Sequence, residues 1–542
     1  MIQIKKTLFD RAIEKVAPTY AQKRYQSRAQ IAAFEQNNGF SQPGQKNKKF
    51  LRSSNVSSNS PDFDTIDKQE GSIAISRDAW MNNTLAVAML RRIKTTTIGT
   101  GLKLQSQIDA DFLNLQKEEA RAWQKNVERR FNNWAQSKDC DITRQQNFFE
   151  LQDLAFFSVL LSGDCFALFP YKKIKSLSSG IRIRLIEADL CSTPFMASTL
   201  SNKKNVAGGI EFDSDGAPTK YYFSKHYPGQ NTNVLSMNDW VGVNAFSKSG
   251  KKQIHHLFTK DRPGQRRGMP LVANLINDLM KVTKLQDAEL TAHVVSSLFT
   301  VFVKDMSGVA EMIDEGYAGD PNATNNQKAN VDEGDSTKVG MDTGNIVYLD
   351  DKKEIQIAET RKTSESFNQF YESYVKLIAS AVEIPFEQML LHFQASYSAS
   401  RGALLEAWKA TRVRRAWCSI NFCQPAFVAW LDEQVASRKI IAPGYFEDIE
   451  IKAAWCKTSW SGMGNGQLDP MKETKAAVMS INNNLSSHEK EYNKIHDDGD
   501  WEGNVLRRSD EEDLIKEKDL MPVAKVNALT MVDDEETEEE DT

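Results

Sequence analysis

Residues 262–270 read RPGQRRGMP and lead directly into LVANLINDLMKVTKLQDAELTAHVVSS, a run that ends at Ser297. Pro270 suits the first position of a helix, because its fixed φ matches helical geometry and its missing N–H would have no helical partner there. No proline or glycine interrupts the chain again before Gly308. A helix of about 27 residues would measure about 40 Å. The stretch therefore predicts a basic loop joined to one long helix, and it contains no set of residues typical of a catalytic site.

The chain upstream of this stretch predicts an α+β fold. Apolar residues of 117–135 recur at spacings of three or four, as in an amphipathic helix. Residues 77–104 predict another helix, which ends at a glycine turn. Between 181 and 243 short alternating runs are typical of half-buried strands, and Asp215-Gly216 between two such runs indicates a hairpin. Helical sequence around a group of strands is typical of an α+β body.

Downstream, residues 363–383 carry an apolar and aromatic stripe at helical spacing, which favours a core-facing helix. The residues of this stripe are Phe367, Phe370, Tyr371, Tyr374, Ile378 and Ala381. Pro425 lies inside a further amphipathic stretch and predicts a kink there. Asp469 followed by Pro470 predicts the capped start of another helix.

Charge is distributed unevenly along the 542 residues, although the net charge is only −5. Residues 1–53 hold 11 Lys or Arg against 3 Asp or Glu, and a Ser/Asn-rich link follows at 53–62. Residues 304–352 hold 11 acids against 4 bases, and the last ten residues carry eight acids and no base. We expect charged ends of this kind to be solvated and mobile.

Enzyme motifs and metal-ligand patterns are missing from the sequence. The six cysteines show no CxxC or zinc-ligand spacing, and no Walker A loop, EF-hand or supported catalytic triad occurs. His255 and His256 are adjacent, so in a strand they face opposite sides and cannot share a metal. We therefore expect no enzyme activity, no metal and no cofactor. Without a secretory leader or an apolar stretch near 18 residues, we also expect a soluble protein of a reducing cytoplasm.

Several short motifs of the sequence resemble those of lambda-type bacteriophage portal proteins. IHHLFTKDRPGQRRGMPLVANLI is similar to the family's junction between a histidine-containing strand and its stem helix. The hairpin GGIEFDSDGAPTKYYFSKHYPG and the word EIPFEQML also match, as do Tyr397, Ser398, Ser400 and Arg401. Gly163-Asp164 stands where relatives typically have Gly-Glu, and Glu383 replaces a usual glycine. The matches lie in the family's order between about residues 75 and 505.

The resemblance implies an elongated subunit with an α/β wing, a long-helix stem, a small α/β clip and a helical C-terminal crown. A basic flexible arm at 1–70 and an acidic disordered tail at 516–542 would flank these parts. The expected boundaries between them are wing 71–269, first stem helix 270–298, clip 299–359, second stem helix 360–384, channel loop 385–402, wing helix and return 403–468, and crown-like helices 469–515.

The resemblance also implies a function without catalysis. Portal proteins form a dodecameric ring at one capsid vertex, through which double-stranded DNA is packaged and ejected without sequence specificity. The implied partners are further copies of the chain, the terminase large subunit, the head–tail connector, and the major capsid and scaffold proteins, with no membrane. The expected location is the virion, after assembly in the cytoplasm of the host bacterium.

Two sets of residues are candidates for these roles. DNA-channel candidates carry small polar or singly charged side chains: Gln394, Ser396, Tyr397, Ser398, Ser400, Lys281 and Lys284. For Tyr397 itself we favour packing into a neighbouring subunit, whereas the two lysines are equally compatible with contacts to phosphates and with ion pairs between subunits. Candidates for subunit or stem packing are Arg262, Gln265, Arg267, Phe367, Phe370 and Tyr374.

Three other functions compete with a portal. A terminase or nuclease would need a Walker loop or a distinctive set of acids. A sequence-specific DNA-binding protein would need a basic domain with a recognition helix, whereas this chain is acidic overall. Another capsid or DNA-packaging component without a channel is the structural alternative. It would form shells or fibres instead of rings with a central hole.

Overall fold

The computed structural model of the protein describes residues 59–174, 179–194, 205–228, 239–297, 301–305, 353–357, 364–392, 397–464, 469–496 and 501–518. Within them, helices and several small sheets form the α+β fold that the sequence predicts. The expected arm up to residue 58, most of the clip, and the tail after residue 518 lie outside the described residues.

The first described helices are α1 (Pro61–Asn82) and α2 (Thr84–Thr97). Asn83 separates them, because its extended backbone ends α1 while its side chain caps α2 by accepting from the backbone N–H of Ala86 at 2.9 Å. The predicted arm boundary at residue 70 is therefore wrong. Ser60 and Pro61 start a helix whose residues Thr65, Lys68 and Gln69 are buried in the body.

Two further helices, α3 (Lys117–Gln136) and α4 (Phe148–Ser162), build the centre of the body. The apolar positions predicted on 117–135 lie in the core, with Phe131 packed edge-on against Phe148 at 5.5 Å. Phe131 also contacts Phe427 and Trp430 from the C-terminal half of the chain. The aromatic core therefore ties together segments that are about 300 residues apart.

Small antiparallel sheets surround this helical core. One three-stranded sheet has the order β3-β2-β8, from β2 (Cys165–Leu168), β3 (Arg184–Glu187) and β8 (Ile254–Leu257). A four-stranded sheet contains β4 (Val206–Ala207), β5 (Ile210–Phe212), β6 (Pro218–Ser224) and β7 (Trp240–Asn244) in sequence order. Gly216 adopts a positive φ of 83° in the turn between β5 and β6, so the hairpin predicted at Asp215-Gly216 is confirmed. A separate strand, β1 (Lys103–Ser106), pairs with a C-terminal strand.

The long helix begins later than its sequence predicts. Leu271–Asn274 forms a 3-10 turn, and α5 (Ile276–Ser297) follows after a break at Leu275. Pro270 has an extended ψ of 140° and precedes the turn, so it is not the first residue of the long helix. Since α5 has 22 residues, its length is about 33 Å instead of about 40 Å.

An antiparallel partner packs along α5. The helix α6 (Ser364–Ala381) lies against it, and Gln286 donates to the hydroxyl of Tyr371 across the pair at 3.1 Å. The strands β9 (Val301–Asp305) and β10 (Lys353–Ile357) also pair antiparallel. These elements are the described parts of the expected stem and of the base of the clip.

After α6, a short helix α7 (Phe386–Leu390) leads to α8 (Tyr397–Cys418). The expected channel loop at 385–402 is therefore too long at both ends, because residues 386–390 are helical and Tyr397 already begins α8. A π-helical turn, Ser419–Cys423, joins α8 to α9 (Gln424–Ala436). This irregular turn lies directly before Pro425, where the sequence predicts a kink.

The C-terminal part begins with α10 (Ile449–Trp455) and with β11 (Thr458–Ser461), the partner of β1. Three helices follow, α11 (Pro470–Asn482), α12 (His488–Ile495) and α13 (Trp501–Glu517), and none contains a buried residue. The predicted cap at Asp469 is confirmed, because its carboxylate accepts from the backbone N–H of Lys472 at 3.2 Å. Among the described residues, no helix is both long and apolar enough to cross a membrane.

Candidate functional site: the junction between body and stem

The junction is built around Asp164, which follows the C-terminal turn of α4. Gly163 ends that helix with a φ of 82°, a conformation that favours glycine. Its backbone lies so close to the junction loop that a Cβ at Gly163 would be 2.6 Å from the carbonyl carbon of Gly268. The glycine therefore permits the contact that places Asp164 against the loop 262–270.

Four donors converge on the Asp164 carboxylate, which is fully buried. Oδ2 accepts from Gln69 Nε2 and from Arg267 Nε, both at 2.6 Å. Oδ1 accepts from the backbone N–H of Gly268 at 2.7 Å and lies 2.8 Å from His256 Nε2. Burial by itself raises the pKa of Asp164, but Arg267 and His256 outweigh it and hold the pKa at about 2. The carboxylate is therefore charged at every physiological pH.

Arg267 also closes the network on its other side. Its guanidinium donates to the carbonyl oxygens of Ala188 at 2.9 Å, Cys191 at 2.8 Å and Gly208 at 2.6 Å. Ala188 and Cys191 belong to the segment that follows β3 and leads to the four-stranded sheet, and Gly208 lies in the turn between β4 and β5. A buried arginine is tolerated only when its charge and its donors are satisfied, as they are here. Arg267 thus fixes the junction loop to the sheets as well as to α4.

The other two basic-loop candidates behave differently from each other. Gln265 is buried, and its Oε1 accepts from the backbone N–H groups of Asp261 and Arg262 at 2.9 and 3.2 Å. Arg262 is exposed and binds the Asp64 carboxylate of α1 at 2.6 Å. Gln265 and Arg267 therefore pack within the subunit, while contacts of all three residues with a second subunit stay a prediction.

The two neighbouring histidines of β8 do face opposite sides. His256 stacks between the rings of Phe166 and Phe258, with centroids at 4.4 and 4.1 Å, and points to Asp164. His255 contacts Phe169 at 5.0 Å instead, and burial together with Lys252 lowers the pKa of His255 to about 4. In the described part of the chain no cluster of His, Cys, Asp or Glu could hold a metal ion.

The sequence profile of the family described as "Phage portal protein, lambda family" matches residues 47–415, well over half of the chain and the whole of this junction. The chain belongs to the lambda family of phage portal proteins. It is 23% identical over 460 residues to "Portal protein B" of Escherichia phage lambda, and 22% identical over 460 residues to "Portal protein" of Escherichia phage N15. Each alignment covers 83% of this chain and 85% of the relative.

Among solved structures, this portal protein is similar to a chain in the neck of a native gene transfer agent particle computed with C12 symmetry. The identity is 12% and the TM-score is 0.37, with 71% of this chain and 92% of that chain covered. A TM-score of this size is too low to carry an argument, so the family membership rests on the sequence.

In the stem of this portal protein, the two lysine candidates differ. Lys281 Nζ lies 3.0 Å from Asp278 Oδ1 one turn earlier, and that hydrogen bond, with a further contribution from Tyr374 of α6, raises the pKa of Lys281. Lys284 is exposed and has no ion-pair partner within the described ranges. Lys281 thus pairs inside its own helix, and contacts of Lys284 with DNA or with a neighbouring subunit stay a prediction.

Only part of the apolar and aromatic stripe of α6 is buried, so the prediction that the whole stripe faces the core is wrong. Ile378 is buried at 1% exposure, whereas Phe370 is 53% exposed and Ala381 is also exposed. Phe370 contacts Tyr374 at 5.2 Å, and Phe367 stacks on Tyr371 at 6.0 Å. The buried face is rotated toward Val375, Ile378, Ala379 and Val382, because these positions meet α5 and the body. One aromatic edge is left at the surface.

The channel-loop candidates are described only in part. Gln394 and Ser396 lie outside the described residues, and Tyr397, Ser398 and Ser400 occupy the first turn of α8. The assignment of these residues to a channel stays a prediction. Since Tyr397 already begins a helix, the non-helical loop is shorter than its sequence suggests.

The sequence did not reveal the partners of Arg267. Gly163-Asp164 stood out only as a resemblance, and Gln69 fell in the expected flexible arm. One signal was available, since an acid directly after a helix-ending glycine is placed where a close backbone contact can bury it. The partners of Asp164 could not be predicted in this way, because the network joins residues that are about 100 and 200 positions apart.

Proposed function

We propose that this portal protein forms a dodecameric ring at one vertex of a capsid and that the axis of the ring is the channel for DNA. The family match over residues 47–415 carries this proposal. The ring would be part of the virion and would assemble in the cytoplasm of the host bacterium. Its role is structural, because binding and positioning of DNA and partner proteins require no catalytic residue.

The arrangement of the stem supports a channel. A closed ring needs two different, complementary faces on each subunit. The antiparallel pair α5 and α6 keeps apolar side chains at its surface, among them Leu290 at 65% and Leu377 at 59% exposure. A row of such helical pairs around an axis buries these side chains between neighbours and leaves polar residues, such as Lys284, for the interior.

Moving DNA must slide through this channel without sticking. Each phosphate neutralised by Lys or Arg adds affinity that depends on salt, so a translocation channel should carry few unpaired cations. Lys281 is already paired with Asp278. The segment from Gln394 to Ser400 contains only uncharged side chains. Both features favour weak, exchangeable contacts with the DNA backbone.

The clip is the proposed docking site for the terminase large subunit and, after packaging, for the head–tail connector. Residues 304–352 are strongly acidic in sequence, and β9 and β10 pair at the point where this segment leaves and re-enters the stem. The body and crown would face the major capsid and scaffold proteins. A capsid or packaging component without a channel is the alternative function.

Negative-stain imaging and mass measurement of the purified protein test this proposal. Rings with a central hole and a mass of many subunits are expected. Shells, fibres, or a stable monomer under assembly-favouring salt would contradict the ring and favour the alternative.

The channel loop can be tested with the triple variant Gln394→Lys, Ser396→Lys and Ser398→Lys. Rings should still form, since loops on a rigid scaffold tolerate substitution. Packaging should slow or stall, because three added cations per subunit hold phosphates, and added salt should partly restore the rate. The same three positions changed to Asn provide a control that should package normally. Packaging of a full genome by the lysine variant at the normal rate would show that the loop does not line the channel.

A further inference from the structure

A large open cavity lies between α8, β11 and α12, and we call it the basic groove. Its volume is about 1380 Å³, and Trp408, Ile420 and Trp460 form much of its apolar lining. Five of the seven charged residues that line it are basic. Arg412 and Lys490 are exposed and have no ion-pair partner among the residues that the structure describes. The groove therefore combines an exposed apolar surface with unpaired positive charge.

The helix α13 has the opposite character. Residues 509–517 carry five acids and one base, and Asp510 and Glu511 have no ion-pair partner in the described part of the chain. Leu506 and Leu514 are both 56% exposed, and their spacing places them with Asp510 on one face of the helix. An acidic and apolar helical face complements the basic groove in charge and in hydrophobicity.

Contacts of its first turn tie α13 to α3 and α12 of its own subunit. Glu502 lies 3.2 Å from Lys125 Nζ and 3.8 Å from Arg121 Nε, and Trp501 stacks on His488 with centroids 6.0 Å apart. The whole helix is about 25 Å long, and none of its residues is buried. A helix of 17 residues without packing is marginally stable in water. Its apolar and acidic face is therefore not covered by the residues that the structure describes.

We propose that the part of α13 after its first turn docks into the basic groove of a neighbouring copy of this chain, an inference that rests on the proposed ring. Leu506 and Leu514 pack on the apolar lining around Ile420, and Asp510 and Glu511 lie near Arg412 and Lys490. This is the binding of an amphipathic helix in a groove, with the charged rim setting the orientation. Each subunit would offer one helix and one groove, which is the head-to-tail contact that a closed ring requires.

Cysteine cross-linking tests this contact in assembled rings. The six native cysteines are all buried, so Leu514→Cys and Ile420→Cys introduce the reactive thiols. A short bis-maleimide should then produce a ladder of covalent multimers on a denaturing gel. As a matched control, Leu514→Cys combined with Ile441→Cys should give no ladder, because Ile441 is 77% exposed but does not line the groove.

The outcomes separate this inference from the proposed function. If the parent protein forms no rings, the proposed function itself fails. Rings that give only internally linked monomers show that α13 covers the groove of its own chain, and rings without cross-links show that it docks elsewhere. Either of these two results overturns the helix–groove contact alone.

Charge reversal gives a second, independent test. The pair Asp510→Lys and Glu511→Lys should make ring association about tenfold weaker at low salt, and Arg412→Glu with Lys490→Glu should do the same. All four positions are exposed, so the circular dichroism of the subunit should not change. Combining both pairs should restore association to near the original level. An additive loss in the combined variant would overturn the proposal.

Discussion

The junction at Asp164 and the three C-terminal helices differ in how far their side chains are buried within the subunit. At the junction, each oxygen of a buried carboxylate meets two donors from the same chain. In α11, α12 and α13 no residue is buried, and Met471 and Met479 of α11 are each 65% exposed. The described residues of the body therefore bury a core within one subunit, whereas those of the three C-terminal helices bury no residue. Substitutions at the junction should affect the subunit, and substitutions on the open helices should affect the assembly.

Asp164→Ala should have the largest effect on the subunit. It leaves the Arg267 guanidinium buried without its counter-charge, which costs roughly 3–5 kcal/mol of unfolding free energy. Asp153→Ala is the matched control on the same helix, because the Asp153–Lys94 pair is about one-third exposed and should contribute at most about 1 kcal/mol. Urea denaturation of both variants measures the difference. Equal losses would contradict the special status of the buried network.

Lowering the pH should have the second largest effect on the free energy of unfolding, after Asp164→Ala. The pKa of His255 falls from an ordinary value near 6.5 to about 4 in the fold, so the unfolded chain binds the proton more readily. This contribution to stability is complete above pH 6.5 and is lost as the pH falls toward 4, by about 3 kcal/mol in all. His256 acts in the same direction, since its pKa is also lowered.

The pH dependence of the His255→Gln variant isolates this effect. The variant should lose part of its stability at pH 7 but should unfold with a shallower dependence between pH 6.5 and 4 than the parent protein. An unchanged slope would show that His255 is already protonated in the folded subunit at mildly acidic pH, in conflict with its buried position beside Phe169 and Lys252.

Phe370→Ala should have the smallest effect on the stability of the subunit. It should therefore separate the stability of the subunit from its assembly into rings. Because the ring is 53% exposed, the free energy of unfolding should fall by less than about 1 kcal/mol. Ile378→Ala on the buried face of the same helix should cost about 2–5 kcal/mol. Ring yield, measured by light scattering, should nevertheless fall for Phe370→Ala. A normal yield would indicate that this edge of the stem does not meet a neighbour.

Local patterns in the sequence predicted local structure well. The helix at 117–136, the hairpin at Gly216 and the cap at Asp469 each depend on neighbours within a few residues, and each is confirmed. The ends of longer elements were less predictable. Pro270 precedes a 3-10 turn instead of opening the long helix, because its ψ of 140° is extended and not helical.

The candidate site could be predicted only in part. Arg267 and Gln265 stood out because they form a basic loop before a helix, but their burial could not be read from the loop itself. Positive charge at a loop is usually solvated, and only the carboxylate of Asp164 and three distant carbonyl groups make burial of Arg267 favourable. For the same reason Phe370 looked like core, since periodicity identifies a helix face but not what lies opposite it.

The π-helical turn at Ser419–Cys423 determines in which directions the side chains of α8 and α9 point relative to each other. Each residue of an α-helix advances the side chain by about 100°, and one wide turn inserts one extra residue, so the pattern downstream is rotated by about that angle. Before the turn the outward stripe includes Leu405 and Val413, and after it Phe427 and Trp430 point into the body. Deleting one residue between 419 and 423 would restore a regular helix and turn those two rings away from their partners. The extra residue therefore sets the angle between the exposed side chains of α8 and the core-facing side chains of α9.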